Sequence, residues 1–97
     1  MMSTYELLQR EKKDILQIAA RCRAENLRLF GSVARGDDHG ESDIDLLVDF
    51  LPGSTLLDQV TLIEELSAKF DRKFDVVSAR ALNKHLRQII LDEAINL

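Results

Sequence analysis

Leu8, Ile15, Ile18, Ala19 and Cys22 recur at the spacing of one helical face, behind a Ser3/Glu6 pair in the form of a capping box, and predict a helix over residues 4–25. "LRLF" at 27–30 is short, apolar and followed by Gly31, which reads as a buried strand. "SVARGDDHGES" then makes a polar connection. In "DIDLLVDF" the residues alternate, with Ile44, Leu46 and Val48 on one side and Asp43, Asp45 and Leu47 on the other. Pro52 and Gly53 break the pattern, and Ser54 or Thr55 can cap a helix to about Phe70 with Leu57, Val60 or Thr61, Leu62 and Leu66 inward. "KFDVVS" at 73–78 predicts a third strand, and Leu82, Leu86, Ile89, Ile90 and Ala94 mark the inward face of a last helix over about 81–94.

The order helix, strand, strand, helix, strand, helix describes a small α/β (α+β) layer with helices packed on a three-stranded mixed sheet. The first two strands are joined by a polar loop that suits an antiparallel pair, whereas the second and third are joined through a helix, as a parallel pair requires. Gly31 and Ser32, Asp43 and Asp45, and Asp75 then meet at one edge of the sheet.

Composition narrows the class. The 97 residues are 45% hydrophobic and 31% charged, which suits one folded domain, residues 1–97, with room for one modest core. The apolar runs are far shorter than the roughly 18 residues that span a bilayer, and the N-terminus lacks a signal-peptide pattern, so a cytoplasmic location without membrane contact is expected. Cys22 is the single cysteine and there are two His, which argues against a disulfide or a thiolate zinc site. A net charge of −4 argues against sequence-specific nucleic-acid binding through the overall field. The bases Arg10, Lys12, Lys13, Arg21 and Arg23 line a solvated helix face or a local patch for an acidic partner.

The carboxylates change the picture. Asp43 and Asp45, two apart on a strand, project to the same side, and Asp75 on the neighbouring strand can complete a cluster of three. Uncompensated, these anions repel; divalent cations resolve the conflict, because carboxylate oxygens are hard ligands suited to Mg²⁺ or Mn²⁺. Two such ions can hold the attacking and leaving oxygens of a phosphoryl displacement. Gly31 lets backbone approach a phosphate closely and Ser32 can donate its hydroxyl. No Walker A loop, nucleophile elbow or EF-hand pattern is present.

Gly31-Ser32, ten residues, then Asp43-Ile44-Asp45 resembles the G-S-x(10)-D-x-D signature of the DNA polymerase β-like nucleotidyltransferases. With "FGSVARG", "SDIDLLV" and "FDVV", the chain is similar over nearly its whole length to the minimal nucleotidyltransferase (MNT) branch. The resemblance implies a nucleotidyltransferase fold, a three-stranded mixed sheet with about four helices. It implies that Asp43 and Asp45 ligate two Mg²⁺ ions, that Asp75 shares the catalytic ion and helps deprotonate the acceptor hydroxyl, and that Gly31 and Ser32 hold the β- and γ-phosphates of ATP. Among such proteins the usual partner is an all-helical HEPN-type toxin, which the MNT subunit, as antitoxin, modifies by moving AMP to a tyrosine hydroxyl. A non-catalytic antitoxin, or the catalytic subunit of a two-component enzyme acting on a small molecule, are the alternatives.

Four further positions carry expectations. Arg35 can meet triphosphate oxygens or pair with Asp37 or Asp38. Ser42 is a candidate nucleotide contact that orients Asp43 or only begins the strand. Asp49 is expected at a solvated strand end, and His39 and His85 are expected to be exposed.

Overall fold

The computed structural model describes residues 2–97. The predicted first helix is two: α1 (Thr4–Arg10) and α2 (Lys12–Arg21), separated at Glu11, whose backbone leaves the helical region at φ −98°, ψ 15°. Strand β1 (Ala24–Phe30) leads into a five-residue helix α3 (Gly31–Arg35), and β2 (Ile44–Phe50) returns beside it. The rest of the chain forms α4 (Leu56–Phe70), β3 (Phe74–Ser78), a 3-10 turn (Ala79–Ala81), α5 (Lys84–Glu93) and β4 (Ile95–Asn96). Local chemistry sets the boundaries. The Ser3 hydroxyl accepts from the Glu6 amide, Asp58 accepts from the Thr55 amide, and Asn83 accepts from the Leu86 amide, each meeting an unpaired donor at a helix start.

The sheet order is β3-β2-β1-β4. As expected, β1 and β2 are antiparallel and β2 and β3 parallel. The sheet has four strands rather than three because Ile95 and Asn96 pair with Leu29 and Arg28, and the Leu97 amide donates to the Leu27 carbonyl. Two residues are too few to display an alternation, so this strand left no pattern to read.

The core lies on one side of the sheet. Leu8, Ile15 and Ala19 from α1 and α2, Leu62 and Leu66 from α4, and Leu29, Ile44, Leu46, Val48, Phe74 and Val76 from the strands form a cluster in which no polar side chain is buried. Each such Leu, Ile or Val contributes about 1.5–3 kcal/mol, which is how so short a chain holds its sheet. Two helices depart from the core assignments expected of them. Leu57 is 71% exposed and Val60 also faces out, because both lie nearly opposite Leu62 and Leu66 around α4, and Thr61 rather than Val60 is half-buried. Leu86 and Ile89 are exposed as well, and α5 buries no residue fully.

The opposite face of the sheet carries Phe30, Asp45, Leu47, Asp49, Asp75 and Val77, and is covered only in part, by the 3-10 turn and α5. Leu47 is fully buried beneath that cover. The strand therefore hides both faces at its middle and opens on the second face only towards its ends.

Candidate active site

Register assembles the site. Asp45 stands directly opposite Asp75 on the parallel neighbour, and opposite Phe30 on the antiparallel one, one residue before Gly31. Asp43 immediately precedes β2, so the three carboxylates and the Gly31-Ser32 turn share the edge expected of them.

Gly31 couples the two halves. Its φ is +72°, a left-handed value that favours glycine, and a Cβ placed on it would lie 2.2 Å from Asp45 Oδ2. The Asp45 carboxylate thus occupies the place of the side chain Gly31 lacks. It is half-buried, and burial, followed by the negative charges of Asp75 and Asp43, pushes its pKa above the usual carboxylate range; Arg35 offsets this in part and Glu93 adds to it. Asp75 is exposed, and Asp43 is 3.7 Å from Lys73 Nζ in a solvent-facing ion pair.

Among the described residues, no three His, Cys, Asp or Glu side chains converge closely enough to surround one ion as they stand. Repulsion accounts for the spread, since like charges separate where solvent and Lys73 offer alternatives. The donor set nonetheless fits a hard divalent cation: oxygens only, from one edge of the sheet, around a carboxyl whose pKa is raised first by burial and then by the charges of Asp75 and Asp43. Asp43, Asp45 and Asp75 are the residues that would hold Mg²⁺ or Mn²⁺.

The remaining candidates are placed as follows. Ser32 lies in the first turn of α3, half-buried, and its carbonyl accepts from the Asp37 amide. Arg35, at the other end of α3, pairs with Asp37 (3.2 Å) and also with Glu93 of α5 (2.7 Å). The Ser42 hydroxyl accepts from the His39 amide at 3.0 Å and lies 3.1 Å from His39 Nδ1, so it closes a loop turn beside Asp43. His39 and His85 are exposed as expected. Asp49 stands near the strand end with a partly exposed side chain, and it also accepts from Asn26 (3.0 Å) and pairs with Arg28 (3.3 Å).

Arg72 was not singled out by its sequence, and it holds the loop. Its guanidinium donates to Thr4 Oγ1 (2.7 Å), the Ser42 carbonyl (2.7 Å) and the His39 carbonyl (3.3 Å), with Asp38 at 3.9 Å. One side chain, three residues before Asp75, thereby fixes the backbone one residue before Asp43. Lys73 and Glu93 also escaped notice. All three act across long sequence separations, which leave no local spacing to detect.

Known proteins place this geometry. Residues 10–97 match the family described as Polymerase beta, Nucleotidyltransferase. A protein of Methanocaldococcus jannaschii, provisionally named protein adenylyltransferase MJ0435, is 35% identical over 86 residues, covering 89% of this chain and 92% of the relative. Protein adenylyltransferase MntA of Thermococcus cleftensis is 30% identical over 89 residues, covering 92% of this chain and 87% of that protein. Among solved structures, one provisionally described as a minimal nucleotidyltransferase superposes with a TM-score of 0.85 at 43% identity, covering 95% of this chain and 94% of that one. A toxin-antitoxin crystal structure with AMP-PNP shares the fold, with a TM-score of 0.74 at 23% identity over 88% of this chain and 70% of that one. With the Gly-Ser turn packed against a paired Asp45 and Asp75, and the family matched over nearly the whole chain, this protein belongs to the polymerase beta nucleotidyltransferase family of nucleotide-transferring enzymes.

Proposed function

We propose that the protein is a Mg²⁺-dependent adenylyltransferase and antitoxin that moves AMP from ATP to a tyrosine hydroxyl of a cognate HEPN-type toxin. The observation that carries this reading is the steric union of Gly31 and Asp45, with Asp75 opposite Asp45 in register. It brings the phosphate-binding turn against the carboxylate edge without any further domain. The relatives named as protein adenylyltransferases support the type of transfer, and the toxin-antitoxin structures of the same fold support the setting.

In this reading the turn at Gly31 and the Ser32 hydroxyl hold the β- and γ-phosphates. Arg35 is available to join them, because its exposed pairs with Asp37 and Glu93 contribute little and a triphosphate can compete for it. The acceptor oxygen forms a bond to the α-phosphorus, the bond to the β-phosphate oxygen breaks, and pyrophosphate leaves. Asp75, exposed beside the acceptor's approach, takes up the hydroxyl proton. Ions bound at Asp43, Asp45 and Asp75 would neutralise phosphate charge and favour the ionised acceptor.

Incubation with ATP, Mg²⁺ and the protein encoded beside this one, followed by intact mass, tests the proposal. A gain of one or more AMP groups on the neighbour is expected, abolished in the Asp43→Asn, Asp45→Asn double variant; no gain with the wild type would sink the enzymatic reading. A second reading, an antitoxin that neutralises by contact, is favoured by the large apolar residues left exposed on α4 and α5, Leu57, Leu86 and Ile89 among them. If so, the double variant still protects cells from the toxin.

A further inference from the structure

Strand β4 does more than close the sheet. Ile95 stands opposite Leu29 and Asn96 opposite Arg28, and the Leu97 amide donates to the Leu27 carbonyl, so the chain just after α5 is fastened to the strand that leads into the Gly31 turn. Counted back from Ile95 and forward from Leu29, that antiparallel register brings Glu93 level with Gly31. Since α5 buries no residue fully, its last turn is placed by this short strand more than by packing. From there the Glu93 carboxylate accepts from Arg35 Nη1 at 2.7 Å, closer than the 3.2 Å between Arg35 Nε and Asp37. Asp37, two residues beyond Arg35, can travel with the guanidinium, whereas the Glu93 backbone is held. The Glu93 side chain is 31% exposed and that of Arg35 53%, so an anion from solution can reach the bond. The charge of Glu93 also reaches the carboxylate edge: after burial and the charges of Asp75 and Asp43, it too pushes the Asp45 pKa up.

We propose that Glu93 is a positioning residue whose carboxylate stands in for a nucleotide phosphate: it holds the Arg35 guanidinium while the site is empty, yields it to the β- and γ-phosphates on binding, and reclaims it as pyrophosphate leaves. The inference rests on the adenylyltransferase reading, which puts those phosphates at Gly31 and Ser32, and adds to it a residue that limits how tightly they are held. Carboxylate and phosphate oxygens are alternative acceptors for the same planar fork. An incoming phosphate has to displace Glu93 from Arg35 and then remain beside its negative charge, so exchange and repulsion both oppose binding. Neutralising Glu93 removes both. Pyrophosphate consists of the same two phosphoryl groups that the turn holds in the nucleotide, so the competition weakens product and substrate alike and favours turnover over tight binding.

The test is isothermal titration of the full chain with AMP-PNP and with inorganic pyrophosphate, each with Mg²⁺. Glu93→Gln and Glu93→Ala, both at a partly exposed position and checked for fold by circular dichroism, should bind both ligands about threefold to fivefold more tightly than wild type, the scale of one partly exposed ion pair. The gain should shrink as salt rises. In an Arg35→Gln background the same changes at Glu93 should gain less than about twofold, because the partner through which Glu93 acts is gone. Unchanged or weaker binding in both Glu93 variants overturns the proposal. An equal gain with and without Arg35 also overturns it, by reducing Glu93 to a general negative field. Wild-type protein that binds neither ligand overturns the nucleotide reading and this inference together. Tighter binding in Glu93→Gln without AMP transfer to the neighbouring protein counts against the enzymatic reading alone, and transfer with no change in affinity counts against the role of Glu93 alone.

Discussion

The two faces of β2 divide the work of this protein. On one, Ile44, Leu46 and Val48 are sealed against α1, α2 and α4 in a cluster without a buried polar group. On the other, only Leu47 is fully covered, carboxylates gather at one end and arginines at the other, and the covering helix α5 buries nothing completely. The first face holds the fold; the second leaves charges poorly compensated, a stability cost typical of sites whose compensation arrives with a ligand.

Substitutions can break or sharpen that contrast. The largest effect is expected for Leu46→Ala, which opens a cavity in the sealed face and costs about 3 kcal/mol, read as a lower denaturation midpoint in urea. Gly31→Ala comes next. Its left-handed backbone costs about 1 kcal/mol, and its Cβ displaces Asp45, so transfer should fall by about a hundredfold while the protein still folds.

Asp45→Asn should act in the opposite direction on stability. A carboxyl whose pKa is raised in the folded state stabilises fully only below its ordinary value, and that contribution is lost as pH rises through the raised one. Without divalent cations, the amide variant should therefore melt about 2–4 °C higher than wild type at neutral pH, with the gap closing in acid, while transfer is abolished.

Asp49→Asn is expected to have the smallest effect and the reverse sign. Its pKa is lowered in the folded state, so its contribution is present above the ordinary carboxylate value and is lost as pH falls through the lowered one. Because the pair with Arg28 is partly exposed, the variant should lose no more than about 0.5 kcal/mol at pH 7, and the two melting curves should converge in strong acid.

The sealed face was readable residue by residue, because alternation along β2 and the Leu8 to Cys22 stripe report burial through spacing alone. Leu57, Leu86 and Ile89 show the limit of that logic. Spacing marks a helical stripe as apolar without saying whether the chain's own sheet covers it. At the candidate site, the meeting of Gly31, Asp45 and Asp75 followed from strand order, because the polar connection returns β2 beside β1 and the helical crossover sets β3 parallel to β2. The partners that shape it were not legible: Arg72 with Ser42, Lys73 with Asp43 and Glu93 with Arg35 meet only once the chain is folded.

Arg72 has a consequence for motion. Because one guanidinium bonds Thr4 in α1 and the carbonyls of His39 and Ser42, the 36–43 loop cannot open while α1 stays docked without breaking those bonds. The loop and the N-terminal helix should accordingly open as one cooperative unit, with amide exchange rates that rise together, and the position of Asp43 becomes sensitive to anything that loosens the far end of α1.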